Sequence, residues 1–204
     1  MVSNKKVLFV LLDEYADWEA ASLAAALNQE PEGQGQQFDV KTVSLTKDPI
    51  KSIGGFTVLP DYEIADAPED FVGLILIGGN SWRKEESKQV MELVTKAIEK
   101  EVVLGAICDA TVFLGKHGLF NTIPHTSNYL DSLKKVAGES YSNESGYLEQ
   151  QAVRSGKIIT ANGSAFLEFG KELLEALNAA PQEEIDEWYT FFKTGYYEFM
   201  KTKQ

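Results

Sequence analysis

Apolar runs and helical stripes alternate along this chain. "KKVLFVLLDEY" (5–15) is a continuous apolar run with β-branched and aromatic members, the pattern of a strand covered on both faces. "ADWEAASLAAALNQEPEG" (16–33) is rich in Ala and Leu and ends in Pro and Gly, which predicts a helix with a loop behind it. "QFDVKTVSL" (37–45) alternates like a second strand, and "IKSIGGFTVLPDYEI" (50–64) reads as a hairpin around Gly54-Gly55. "VGLILIGGN" (72–80) is another buried strand, stopped by Gly78-Gly79. "RKEESKQVMELVTKAIEKE" (83–101) is an amphipathic helix with Val90, Leu93, Val94, Ala97 and Ile98 on one face. "VVLGAIC" (102–108) is a third buried strand, and "DATVFLGKHGLF" (109–120) turns back as a short helix.

The second half continues the alternation. "TSNYLDSLKKVAG" (126–138) predicts a short strand and a helix, and "LEQQAVRSGKIITAN" (148–162) two strands flanking Ser155-Gly156. "SAFLEFGKELLEALN" (164–178) offers Ser164 as an N-cap and Phe166, Phe169, Leu173 and Leu177 as one stripe. "PQEEIDEWYTFFKTGYYEFMK" (181–201) is a last helical segment, with Pro181 and three acidic residues suited to its first turn. Ile185, Trp188, Tyr189, Phe192, Tyr196 and Phe199 recur at helical spacing, either to close the domain or to pack on a second copy. The order of elements predicts a three-layer α/β/α sandwich around a mainly parallel sheet.

Composition narrows the role. At 204 residues the chain suits one domain with a substantial core, and there is no repeat or linker. The net charge of −12 argues against nucleic acid or an anionic membrane surface as a partner. The lysines before Val7–Leu12 suggest a signal peptide only briefly. That apolar run is too short and ends in Asp13-Glu14. No run approaches the ~20 apolar residues of a membrane span. The one cysteine, Cys108, cannot form an internal disulfide, and a free thiol suits the cytoplasm. One Cys and two His with no close spacing give no metal signature, and "LIGGN" lacks the phosphate-loop and dinucleotide patterns, so neither metal nor cofactor is expected.

Ligands of such folds bind outside the carboxyl ends of the strands. Three clusters fall there: "DEYADWE", "GGN" and "CDA". If their strands are neighbours, a carboxylate, a bare glycine backbone and a thiol meet at one rim. A cysteine at a sharp strand-to-helix turn sits near a helix N-terminus, which favours the thiolate and lowers its pKa. The backbone N–H groups of Gly79 and Asp109 could hold an oxyanion. Against this stand plainer readings: a buried apolar cysteine, solvated Glu14 and Glu19, and a tight turn at Gly78-Gly79.

"VLFVLLDEYADWEAA", "LILIGGNSW", "GAICDATVFLGKHGLF" and "TSN" before a helix together resemble the DJ-1/PfpI superfamily, with its flavodoxin-like, class I glutamine amidotransferase-like fold. "SIGGFTVLPDYEI" and "IITANGSAFLEFGKELLEAL" match its other segments, so the resemblance covers about residues 5–178, and the tail after 181 is similar to that of bacterial intracellular peptidase or amidase members. The resemblance implies Cys108 as nucleophile and Glu19 as the glutamate that contacts it. It also implies Gly78 and Gly79 as the oxyanion turn, with Asp109 N–H as second donor. It further implies a homodimer acting on a peptide or small molecule. Where peptidase members have a histidine after the cysteine, this chain has Asp109, and the usual second histidine position is Asn128. His117, half a helical turn from Cys108, is read as a surface residue, and His125 would reach the pocket only through a different loop path. A cysteine hydrolase is the leading expectation. Alternatives are a redox-responsive protein with a low-pKa Cys108, a glyoxalase- or deglycase-like activity on small aldehydes, and a non-catalytic binding domain.

Overall fold

A computed structural model describes residues 4–29 and 36–203. Its centre is a seven-stranded sheet of β1 (Lys5–Val10), β2 (Phe38–Ser44), β5 (Tyr62–Glu63), β6 (Phe71–Leu76), β7 (Val103–Ile107), β8 (Ala152–Ser155) and β9 (Ile158–Ala161). The order across the sheet is β5-β2-β1-β6-β7-β9-β8, and every pairing is parallel except β8 with β9. The antiparallel pair is the hairpin expected around Ser155-Gly156, where Gly156 takes a φ of 61°. The hairpin around Gly54-Gly55 also forms, as a separate ribbon of β3 (Ile50–Lys51) and β4 (Thr57–Val58).

The α-helices among the described residues are α1 (Asp17–Leu27), α2 (Met91–Glu99), α3 (Asp109–Lys116), α4 (Leu130–Ala137), α5 (Phe166–Leu177), α6 (Gln182–Thr194) and α7 (Tyr196–Lys201). Because side chains alternate along a strand, each central strand feeds two cores. Leu8, Val10, Leu74, Leu76, Leu104 and Ala106 meet Leu93 and Val94 of α2, Phe113 of α3 and Leu133 of α4. Val7, Phe9, Ile75, Ile77 and Ile107 meet Leu23 of α1, Phe169 and Leu173 of α5 and Ile185 of α6. Helices on both faces explain why these strands read as unbroken apolar runs.

The loop expected at 30–35 lies outside the described residues. Elsewhere local expectations differ from the structure. The helix expected over 83–101 is α-helical only at Met91–Glu99, behind a 3-10 segment at Glu85–Val90. No strand forms at Thr126–Asn128, where backbone and side-chain bonds to other segments take the place of a ladder. Ala165, not Ser164, is the N-cap of α5, because the Ser164 hydroxyl turns back 2.6 Å to Asn162 Oδ1. The last helix breaks at Gly195, whose φ of 84° suits glycine and no helix. Ile98, expected on the buried face of α2, is half exposed. The aromatic tail divides. Ile185 and Trp188 pack on the α5 layer, while Phe192, Tyr196 and Tyr197 remain exposed. Among the described residues, no helix is long and apolar enough to cross a membrane.

Candidate active site

Since β1, β6 and β7 are adjacent, the three clusters do meet at one rim. Cys108 stands between β7 and α3 with φ 59° and ψ −131°, a conformation that L-residues rarely adopt and that costs about 1–3 kcal/mol. Three hydrogen bonds hold this elbow. Cys108 N–H donates to Ala161 O at 3.0 Å, and its carbonyl accepts from Thr111 N–H at 3.0 Å and Thr111 Oγ1 at 2.6 Å. The thiol is partly buried at one side of a cleft of about 580 Å³. Ala16, Trp18 and Ile53 form an apolar wall. Gly79, Asn80, Arg83, Asp109 and Asn128 form a polar one.

Glu19 is completely buried, and the period of α1 explains why: Glu19, Leu23 and Leu27 share the inward stripe. Its Oε2 accepts from Gly78 N–H at 2.8 Å. Its Oε1 is buried without a hydrogen-bond partner. A Cβ on Gly163 would stand 2.9 Å from Cys108 Sγ and 3.0 Å from Glu19 Oε1, so the sulfur and the oxygen flank one small gap beside that glycine. Gly78 is glycine for a related reason, since any side chain there would strike the Glu19 carboxylate and Cys108 Cβ. At Gly79 a φ of 150° and the close Glu14 carbonyl impose the same restriction.

Burial pushes the Glu19 carboxyl up to about 7, against the neighbouring Cys108 thiol and the Gly78 N–H, which favour its charge. The thiol does not follow the expectation of a lowered pKa. Burial and then the Glu19 charge push it up to about 11, with only Asn128 and the Asp109 N–H pulling the other way. The two groups are one titrating pair. Once Glu19 is ionised, a second negative charge beside it is strongly opposed. The helix N-terminus is present, but it does not outweigh burial next to a carboxylate.

The remaining polar groups are placed as follows. Asn128 Nδ2 donates to Cys108 Sγ at 3.3 Å, while its Oδ1 accepts from Gly163 N–H at 2.8 Å. Asp109, first residue of α3, is gripped by Arg83 through Nε–Oδ2 at 2.7 Å and Nη2–Oδ1 at 2.9 Å. His125 does not reach the cleft. It is fully buried in an aromatic cage, with Nδ1 2.9 Å from Ile123 O, Nε2 2.8 Å from Tyr141 Oη and the ring stacked on Phe120. The segment 125–128 is pinned by Gly146 and Leu148, which points the ring inward. His117 is exposed at the end of α3 and bonded to Phe113 O. Sequence reasoning missed Arg83 and Gly163. Nothing in the sequence marks Arg83, which reads as part of a helix. Gly163 lies at the carboxyl end of β9, a neighbour of β7, so the strand-end rule could have found it.

The sequence profile of the DJ-1/PfpI family matches residues 5–176. The chain belongs to the DJ-1/PfpI family. It is 41% identical over 196 residues to the "Uncharacterized protease YdeA" of Bacillus subtilis, spanning 96% of this chain and 94% of that one. It also resembles the crystal structure of a ThiJ/PfpI family protein from Bacillus anthracis, at 30% identity and a TM-score of 0.88 over 98% of this chain and 95% of the other. A DJ-1 superfamily protein from Agrobacterium tumefaciens has 31% identity and a TM-score of 0.82 over 92% and 97% of the two chains. The flavodoxin-like fold of the family is therefore also the fold of this chain.

Proposed function

We propose that this DJ-1/PfpI protein is a cysteine-dependent hydrolase of the peptidase or amidase type, with Cys108 as nucleophile. The observation that carries the reading is the thiol on a strained elbow, open to a cleft and backed by a buried carboxyl with one unpartnered oxygen. The protease name of the B. subtilis relative supports the same class. No histidine stands at the cleft, so Glu19 takes the base role. A carboxyl held near 7 both accepts and returns a proton at neutral pH. The Sγ proton passes to Glu19 Oε1 as Sγ bonds to the substrate carbonyl carbon. The carbonyl oxygen, now an anion, is received by the N–H groups of Gly79 and Asp109. Collapse expels the leaving group and leaves a thioester, which water hydrolyses to release the acid and the thiol.

Glu19 is too buried to reach a leaving group, and Asp109 is tied to Arg83. That favours substrates with good leaving groups over plain amides. It also supports a second reading, addition of the thiol to a small aldehyde, which has no leaving group to protonate. The test is hydrolysis of a p-nitrophenyl ester beside turnover of an α-oxo aldehyde, in wild type, Cys108→Ala and Glu19→Gln. Loss of turnover in Cys108→Ala, with a pH inflection near 7 that Glu19→Gln removes, is expected. Undiminished turnover in Cys108→Ala would sink the reading. The expected homodimer remains part of the proposal, supported by the exposed aromatics of α6 and α7. A solution mass of 22.6 kDa would overturn it.

A further inference from the structure

The residue after the nucleophile carries a negative charge, an awkward neighbour for a group that must become a thiolate. The charged groups that face the thiol are Glu19 from α1, Asp109 from α3 and Arg83 from the loop after β6, and Tyr129 ahead of α4 lies near Arg83. The β9 side contributes Gly163, and the β3–β4 ribbon contributes Ile53, neither of which titrates. Arg83 is the one cation among the residues lining the cleft. Its planar fork meets both oxygens of Asp109, at 2.7 and 2.9 Å, while half of its own side chain is open to solvent and Asp109 is mostly covered.

We propose that Arg83 is a positioning residue for the Cys108 thiol: by gripping Asp109 from both oxygens it neutralises the adjacent charge, so that a thiol giving up its proton leaves its sulfur beside a paired carboxylate rather than a free one. This rests on the reading of Cys108 as a nucleophile. The fork also turns the Asp109 carboxylate towards the cleft wall and holds it there, which a single point charge would do less well. Asp109 opposes ionisation of both Cys108 and Glu19, and Arg83 is drawn to Asp109 first and also to Cys108. The arrangement stands where peptidase relatives, by the resemblance above, carry a histidine. It replaces an imidazole with an Arg–Asp ion pair.

The experiment is the alkylation rate of the single cysteine from pH 5 to 12, in wild type, Arg83→Gln, Arg83→Lys, Asp109→Asn and the Arg83→Gln/Asp109→Asn double variant. Each is run with neutral iodoacetamide and with anionic iodoacetate. Arg83→Gln should move the titration midpoint up by about 0.5–1 unit and lower the iodoacetate-to-iodoacetamide rate ratio roughly threefold or more. Arg83→Lys should fall between, since an ammonium cannot form the fork. Asp109→Asn should move the midpoint down, and the double variant should return close to wild type. An unchanged midpoint in Arg83→Gln, or a double variant that behaves like Arg83→Gln, overturns the inference. A merely structural Arg83 would lower the melting temperature without changing either readout, which also overturns it. A wild-type thiol that reacts only on unfolding overturns this inference and the hydrolase reading together. The expected shifts without hydrolysis of any ester or amide would sink the hydrolase reading alone.

Discussion

Glu19 and His125 are both fully buried, and the chain surrounds them in opposite ways. Each ring nitrogen of His125 has an oxygen within 2.9 Å, the ring stacks on Phe120, and its backbone bonds to Gly146 and Leu148. Glu19 has one oxygen bonded to Gly78, and the other faces the sulfur with no partner. A satisfied buried polar group fixes a loop; a half-satisfied one stores an unmet demand for a proton or a donor. The difference separates structure from chemistry more sharply than burial does. It also gives the two groups opposite pH signatures. Burial holds His125 neutral, so its contribution is present above its ordinary 6.5 and lost as pH falls below it. The folded pKa of Glu19 lies above its unfolded 4.5, so its contribution is complete below 4.5 and lost as pH rises through about 7.

The largest test breaks the satisfied site. His125→Ala removes a stacked ring and one of the two partners of Ile123 O and of Tyr141 Oη, each of which keeps a bond to Asn143, and should cost about 3 kcal/mol in urea unfolding at pH 7. The alkylation midpoint of the folded variant should stay within about half a unit of wild type. A larger movement would mean that the cage and the cleft are one unit. The next test relieves the unsatisfied site. Glu19→Gln keeps an acceptor for Gly78 N–H and removes the ionisation, so the variant should gain about 3 kcal/mol over wild type above pH 8 and nothing at pH 4. Equal stability at both pH values would show that Glu19 titrates normally.

The rim that holds Glu19 is legible in the sequence, and its contrast with His125 is not. The alternation of apolar runs with Ala- and Leu-rich or amphipathic stripes requires strands covered on both faces, and adjacency of β1, β6 and β7 then brings Glu19, Gly78 and Cys108 to one rim. Glu19, Leu23 and Leu27 also follow one another at four-residue spacing, a carboxylate on a core stripe. What stayed hidden depended on side-chain direction and solvation. "IPHTSN" fixes the order of His125 and Asn128 but not that one ring turns into Phe120 and Tyr141 while the other side chain turns to the sulfur. The direction of the thiol's shift was missed because a helix N-terminus is visible in a sequence and the loss of water around Cys108 is not. Arg83 lay inside a charged run that looks like any solvated helix face.

Two smaller changes probe the gap between sulfur and carboxyl. Gly163→Ala would set a methyl 2.9 Å from Sγ and 3.0 Å from Oε1, so one of them must shift. The expected penalty is about 1–2 kcal/mol, with slower alkylation at every pH. An unchanged rate would show that the gap is roomier than the packing implies.

The smallest effect is expected at the rim. Asn128→Ala removes the donor to Sγ at 3.3 Å and the acceptor for Gly163 N–H, each bond worth about 1 kcal/mol. Asn128 is exposed, so water replaces part of both. The midpoint should rise by about half a unit, less than the change produced by Glu19→Gln. Asn128→Asp sharpens the point, because it keeps the acceptor for Gly163 while exchanging the donor for a like charge. Its midpoint should therefore lie above that of Asn128→Ala. Were Asn128→Ala to move the thiol further than Glu19→Gln does, control of Cys108 would lie with the solvent-facing amide. The buried carboxyl would then resemble His125, a group that serves the fold.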